Sequence, residues 1–196
     1  MIAIPLFLCG CASFETKLAQ PAVVHAMNWK QRSAALQQIT TWHLDSSMSI
    51  QHDQKIDLAS LIWDQQPHQY QFRLLGPLGF GKISITGSPS IVTLTQSGKL
   101  PISARTAETL MQNQLGWYVP ISHLYDWARG LPAPNTTATM TTDANHRLIY
   151  LKQNGWEIHY LDYKSVGALD LPSKMTFTNS WVNIKWVVKN WAVTKQ

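Results

Sequence analysis

Apolar residues recur at alternate positions along much of this chain, and a period of two marks strands with one buried face. Tyr70, Phe72 and Leu74 alternate with Gln71 and Arg73. Ile83 and Ile85 alternate with Lys82, Ser84 and Thr86, and Val92 and Leu94 continue the series. Upstream, Trp42, Leu44, Met48 and Ile50 alternate loosely with polar residues, and residues 56–64 are apolar on both faces at their end. Downstream, strands are predicted over 147–153, 156–163, 174–178 and 181–191. In the last, Val182, Ile184, Trp186 and Val188 share a face opposite Asn183, Lys185 and Lys189. The connections are short and carry Gly, Pro or Ser, which favours antiparallel hairpins.

A helical period replaces the alternation in three places. Residues 26–39 set Trp29, Leu36 and Ile39 among Gln, Lys, Arg and Ala. Thr106 is a candidate N-cap with Glu108 in the favourable first turn and Leu110, Met111 and Leu115 on one face before Gly116. Ser122 would cap a shorter helix carrying Leu124 and Trp127, ending at Gly130 with Pro132 beyond. Residues 131–139 read as a surface loop. The fold class is mainly β with a few helices. So long an antiparallel sheet must curl, and its inner face must be covered by something apolar. Three short amphipathic helices cover it in part and leave room for a ligand.

At 196 residues the chain suits one domain with a real core. Nine Trp supply large apolar area for a wide core or a lipid-facing cavity. The net charge of +5 comes from scattered Lys and Arg, which argues against a nucleic-acid tract. Both cysteines fall near the start, in Leu8-Cys9-Gly10-Cys11. That sequence resembles the lipobox of a bacterial lipoprotein leader, with Leu three residues before Cys11 and a small Gly directly before it. Cys9 is the poorer acceptor, because Leu8 precedes it. The apolar run is too short to span a bilayer and fits a signal h-region. No Lys or Arg precedes it, so a start upstream, or a misassigned start, is expected. The resemblance implies cleavage before Cys11 and a lipid on its thiol. Expected divisions are a leader over 1–10, a tether over 11–25 and one domain over 26–196. Ala12, where an Asp would favour inner-membrane retention, implies the outer membrane.

Enzyme templates fail. There is no G-x-S-x-G elbow, H-E-x-x-H, P-loop or G-x-G-x-x-G, and seven His residues show no ligand spacing. Asp53 with Asp57, or Asp126 with His123, can be written as acid–base pairs, but chains of this size supply such pairs by chance. No catalytic residue, metal or cofactor is expected. One turn stands out. Gly76-Pro77-Leu78-Gly79-Phe80-Gly81 puts Leu78 and Phe80 where turns are usually polar. Either both fold back onto the sheet edge, or they form a short apolar finger for a membrane or lipid.

The chain resembles the LolB family of outer-membrane lipoprotein receptors. The resemblance rests on the lipobox at Cys11, Trp29, Ile39 with Trp42, Trp63, and Tyr70-Gln71-Phe72-Arg73-Leu74-Leu75-Gly76-Pro77-Leu78-Gly79. It continues through Gly116-Trp117-Tyr118-Val119-Pro120, Leu124, Trp127, Gly130-Leu131-Pro132, Gln153-Asn154-Gly155-Trp156, Tyr160 and Leu171-Pro172. It implies a curled, half-open antiparallel β-barrel with helices as a lid, like that of the periplasmic carrier LolA. It implies a monomer that takes client lipoproteins from that carrier and inserts them into the inner leaflet of the outer membrane, without catalysis. It maps a membrane-inserting Leu onto Leu78, flanked by Pro77, Gly79 and Phe80. Sheltering acyl chains would fall to an apolar wall, for which the candidates are Trp42, Tyr70, Phe72, Leu74, Ile83, Ile85, Trp156, Ile158, Tyr160, Val182, Ile184 and Trp186. The rival readings are a lipid-anchored carrier of another apolar ligand, a lipid hydrolase with a Ser-His-Asp site assembled in space, and a purely structural envelope protein.

Overall fold

The structure, a computed structural model, describes residues 27–76, 82–115 and 120–194. The described residues open with α1 (Trp29–Gln37) and run through β1 (Trp42–His52), β2 (Lys55–Gln65), β3 (Tyr70–Leu75), β4 (Lys82–Gly87), β5 (Val92–Gln96) and β6 (Ile102–Ala104). Helices α2 (Ala107–Leu115) and α3 (Ile121–Trp127) follow. Then come β7 (Ala138–Thr142), β8 (Leu148–Gln153), β9 (Trp156–Val166), β10 (Leu169–Thr178) and β11 (Val182–Val193). The eleven strands make one antiparallel sheet in the order β6-β5-β4-β3-β2-β1-β11-β10-β9-β8-β7. Every neighbouring pair but one is consecutive in sequence. The exception is β1 with β11, which joins two meanders along eleven residues of register. Strands β6 and β7 are the two open edges, and the segment between them carries α2 and α3. This connection must therefore bridge the mouth of the curl, which makes it a lid. The curled half-open sheet with three helices expected from the sequence is the observed architecture.

One face of every long strand is buried, because the alternation read from the sequence points its apolar set inward. Leu44, Trp63, Phe72, Ile85, Ile158, Phe177 and Trp186 belong to one core cluster. Where the alternation breaks, a bulge explains it. Val188 and Trp191 both point inward, although three residues apart, because the β1–β11 register shifts between Asp45 and Ser46. Strand β10 begins at Leu169, earlier than the predicted 174. Its register shifts around Pro172, which lacks a ladder donor. The Pro172 carbonyl instead accepts a hydrogen bond from the Trp191 indole at 2.9 Å.

Other local expectations are corrected. The predicted helix over 26–39 is α1, entered through a capping box in which Asn28 and Gln31 satisfy each other's backbone N–H. Ser122 is not a cap; Pro120 holds that position and Ser122 lies inside the first turn of α3. Residues 131–139 are not simply a surface loop. Leu131 and Ala133 are buried and β7 starts at Ala138. Gly130, with φ +77°, closes α3: its N–H donates to the Trp127 carbonyl and the Leu131 N–H to that of Asp126. The turn then carries Leu131 into the core. Strand β6 has three residues, too few for a period to be read.

The strand ends define two different rims. At one, α1 buries Leu36 in the core, and its buried Arg32 reaches β9 and β10, the guanidinium lying over the Tyr163 ring and donating to the Asp170 carbonyl. This is the closed end. At the other lie the β1–β2, β5–β6, β8–β9 and β10–β11 turns, the end of β3 and the start of β4. Residues 77–81, including Leu78 and Phe80, lie outside the described residues, as does the leader with Cys11.

The outer face carries a titrating cluster. His43 Nδ1 lies 2.6 Å from Asp64, whose other carboxylate oxygen accepts from Arg73 at 2.7 Å. The Asp64 hydrogen bond raises the His43 pKa above its ordinary value, against partial desolvation. A raised folded-state pKa contributes stability that is full below the unfolded value near 6.5 and is lost as pH rises through the folded value. Titration followed by NMR is expected to place His43 above 6.5, and Asp64→Asn to bring it down and flatten the pH dependence of stability in that window. An unchanged His43 midpoint in Asp64→Asn would refute the assignment.

Candidate functional site

Beneath the lid, at the end opposite α1, the core opens into a cavity whose wall is wholly apolar. The sheet supplies Met48 and Ile50 from β1, Leu61 from β2, Phe72 and Leu74 from β3, Ile85 from β4, Trp156 from β9, Phe177 from β10, and Ile184 and Trp186 from β11. The lid supplies Met111 from α2 and Ile121, Leu124 and Trp127 from α3. The space is narrow, with about 40 Å³ open to the centre of a water molecule. That is room for roughly three waters, and an apolar wall gives them no partners. Flexible Met48 and Met111 can change the cavity's shape at little cost.

Six of the twelve wall candidates from the sequence line this cavity: Phe72, Leu74, Ile85, Trp156, Ile184 and Trp186. Trp42, Ile83, Ile158, Tyr160 and Val182 are buried in the surrounding core. Tyr70 borders a second, more polar space with Phe72, Arg105 and Glu108, and burial pushes its hydroxyl pKa up to about 12. The candidate set omitted the roof. The signal for it was present in the apolar faces of Leu110 with Met111 and of Leu124 with Trp127, which the sequence offered as helix cores.

Polar side chains hold α3 in place. Arg129, 1% exposed, donates to the carbonyls of Leu36 at 3.1 Å and Ile39 at 2.8 Å, to that of Tyr125 at 2.9 Å, and to the Asp126 carboxylate at 2.7 Å. Its guanidinium lies 4.0 Å from the Tyr125 ring centre and 5.3 Å from that of Trp42. Gln153, also buried, accepts from the Trp127 indole at 2.8 Å and the Ala133 N–H at 2.9 Å, and donates to the Ala133 carbonyl. Tyr160 donates to the Trp127 carbonyl at 3.0 Å. Thus Trp42 and Tyr160 position the roof instead of lining the cavity. Helix α2 is held differently. Thr106 accepts from the Thr109 N–H, and the Glu108 carboxylate accepts from the Ser122 N–H and hydroxyl, both at 2.9 Å. Those are exposed contacts, one of them placing a negative charge at the start of α3.

The acid–base pairs that can be written from the sequence are otherwise engaged. Asp126 pairs with Arg129, His123 contacts Asn154, and Asp57 pairs with His52 at 2.8 Å. Among the described residues no group of three His, Cys, Asp or Glu is placed to hold a metal. No described helix is long and apolar enough to cross a membrane.

A closed-ended half-barrel with an apolar cavity under a helical lid has counterparts among known proteins. The family model for the outer membrane lipoprotein LolB matches residues 40–191. The chain belongs to the LolB family. The outer-membrane lipoprotein LolB of Coxiella burnetii (strain RSA 493) is 37% identical over 186 residues, covering 95% of this chain and 88% of the relative. The LolB of Pseudomonas savastanoi pv. phaseolicola is 34% identical over 188 residues, covering 96% and 92%. Among solved structures, a LolA superfamily protein from Nitrosomonas europaea superposes with a TM-score of 0.54 at 7% identity, covering 84% of this chain and 94% of that one. At that identity the likeness concerns the fold, and it places the LolB half-barrel and the LolA superfamily in one architecture.

Removing the Arg129 charge is expected to loosen the roof. Arg129→Met would leave Asp126 buried without its cation and remove the guanidinium donors from the Leu36 and Ile39 carbonyls, a loss of about 3–5 kcal/mol. Burial already holds the Asp126 carboxyl above its ordinary pKa despite Arg129. The variant's deficit should therefore shrink as pH falls and Asp126 takes up a proton. Urea unfolding at neutral and acidic pH measures both, and a loss below about 1 kcal/mol would show that the pins are dispensable.

Proposed function

We propose that this chain is a lipid-anchored receptor on the periplasmic face of the outer membrane. It accepts lipoproteins from the LolA carrier, shelters their acyl chains under its lid, and inserts them into the inner leaflet. The observation that carries the reading is a purely apolar cavity beneath a helical roof in a member of the LolB family. In this reading residues 1–10 are a leader, Cys11 carries the anchor, residues 11–25 are a tether, and the domain acts as a monomer without catalysis.

The energetics fit a carrier that must also release. An acyl chain loses about 0.8 kcal/mol per CH₂ on burial, so a long chain left in water costs on the order of ten kcal/mol. A dry aromatic and aliphatic wall recovers much of this without the directional bonds that would hold a ligand against the bilayer. The cavity in this closed form is far smaller than such a chain, so loading requires the lid to move. Arg129, Gln153 and Tyr160 bind α3 through buried bonds, whereas α2 rests on the edge strands β5 and β6 and on the exposed Glu108–Ser122 contact. Helix α2 is accordingly the part that lifts.

Leu78 is assigned the insertion step. One Leu entering the membrane contributes about 1–3 kcal/mol, too little to anchor and enough to bias where the cavity opens. The test is transfer in vitro from a carrier loaded with tagged lipoprotein onto the chain begun at residue 11 with Cys11 replaced, then onto vesicles. The tag should move onto this domain in a pull-down. With Leu78→Glu, capture should persist while delivery to vesicles falls by an order of magnitude or more. A tag that stays on a competent carrier would sink the receptor reading. Unchanged delivery by Leu78→Glu would favour a plain apolar-ligand binder.

A further inference from the structure

The two rims of the half-barrel expose different side chains. At the α1 end the turns are Gln66-Pro67-His68-Gln69, Ser88-Pro89-Ser90-Ile91, Asp143 to Arg147, and Gly167-Ala168, in which Ile91 is the exposed large apolar residue. At the cavity end, the β10–β11 turn exposes Trp181 (81%) and the β5–β6 turn exposes Leu100 (87%). Just behind this rim on the outer face, Ile56 and Leu58 at the start of β2 and Leu75 at the end of β3 are exposed as well. Three exposed lysines share the rim: Lys55, Lys82 and Lys99. Its carboxylates are fewer in effect. Asp53 is exposed with its carboxylate 4.0 Å from His52, Asp57 is bonded to the same His52, and Glu157 is bonded to Lys152.

Trp181 is presented by an ordered turn. The Asn179 side-chain oxygen accepts from the Trp181 and Val182 N–H groups at 2.8 Å each, and the Asn179 N–H donates to the Val182 carbonyl. With Leu100, Ile56 and Leu75 exposed along the same rim, this large indole held out into water marks an edge suited to an apolar partner. Trp beside Lys is the pairing found where protein meets the lipid headgroup layer, the ring at the boundary and the ammonium among the phosphates.

We propose that this rim is a bilayer-contacting edge. Trp181 and Leu100 enter an anionic lipid surface on either side of the cavity, while Lys55, Lys82 and Lys99 meet its phosphates. The two turns are six strand spacings apart, roughly 29 Å around the curl. Together with the Leu75 and Ile56 patch between them, they set the tilt of the domain as well as its depth. The cavity wall comes from the same strand ends, including Ile50, Trp156, Phe177 and Ile184. Seating this rim in the leaflet lets an acyl chain pass from wall to bilayer without crossing water. The proposal rests on the receptor reading above, since delivery into a leaflet is what gives such an edge its use.

The test is depth measured site by site in the whole anchored protein. With Cys11 acylated and the leader removed, the mature chain has no other thiol. Single variants Trp181→Cys, Leu100→Cys and, on the opposite rim, Asn145→Cys are labelled with an environment-sensitive fluorophore. They are reconstituted in phosphatidylethanolamine–phosphatidylglycerol vesicles containing a spin-labelled lipid. Labels at 181 and 100 should blue-shift and be quenched, and the label at 145 should do neither. Trp181→Ser and Leu100→Ser should each slow delivery to vesicles by about tenfold with capture from the carrier unchanged. Labels at 181 and 100 that behave like 145, in protein that still delivers lipoprotein, would overturn the edge and leave the receptor reading standing. Loss of capture in the unsubstituted protein would instead strike that reading. A response at 181 only on adding the soluble carrier would make the rim a protein-docking surface and overturn the lipid assignment.

Discussion

Arg129 takes a full positive charge into an apolar core, and the arrangement around it explains how the closed end of this protein is kept closed. A buried guanidinium is tolerated only when its donors are met and its charge is balanced. Here the donors meet the Leu36 carbonyl near the end of α1, the Ile39 carbonyl just beyond it, the Tyr125 carbonyl and the Asp126 carboxylate, and the planar face lies on Tyr125 and Trp42. One side chain therefore joins the plug helix, the roof helix and the first strand. The Leu36 carbonyl also accepts from the Ile39 N–H, so Arg129 fixes the turn by which the chain leaves α1. Short helices such as α1 and α3 are marginal alone, so their position depends on contacts of this kind.

The same roof is apolar on its underside. Gln153 and Tyr160 take up the polar groups around Trp127, leaving its ring free to face the cavity beside Trp156 and Phe177. The division is physical: directional bonds fix where α3 sits, and non-directional contacts form the surface a ligand would meet. Helix α2 has the second kind of contact and few of the first.

Much of this was legible in the chain. Strict alternation at 70–74, 83–85 and 182–188 marked strands, and the Gly130-Leu131-Pro132 sequence marked the end of α3. What escaped notice had local reasons. Strand β6 is too short for a period, and Pro172 with its bulge hid the first half of β10. Leu131 and Ala133 read as loop because Pro and Asn follow them, yet Gln153, distant in sequence, satisfies the backbone of Ala133, and the Leu131 N–H donates to the Asp126 carbonyl, so both can be buried. For the cavity, alternation separates inside from outside but carries no information about depth along a strand. It could not distinguish Ile184, at the cavity, from Trp42, at the closed end under Arg129.

Depth along the strand is also what separates holding from release. In a half-barrel bolted at one end, a chain entering from the open rim meets Ile50, Trp156 and Ile184 first and reaches Trp42 and Leu36 only by displacing Arg129 and its four hydrogen-bonded partners. Each further methylene would gain its transfer energy but would have to break bonds that leave buried polar groups unmet, at about 1–3 kcal/mol apiece. The pinned end thus sets a floor to the cavity, so that part of a long acyl chain stays near the rim. A ligand seated that shallowly is bound less tightly than in a bilayer that accepts all of it. This inequality is what a protein needs if it is to pass lipid onward.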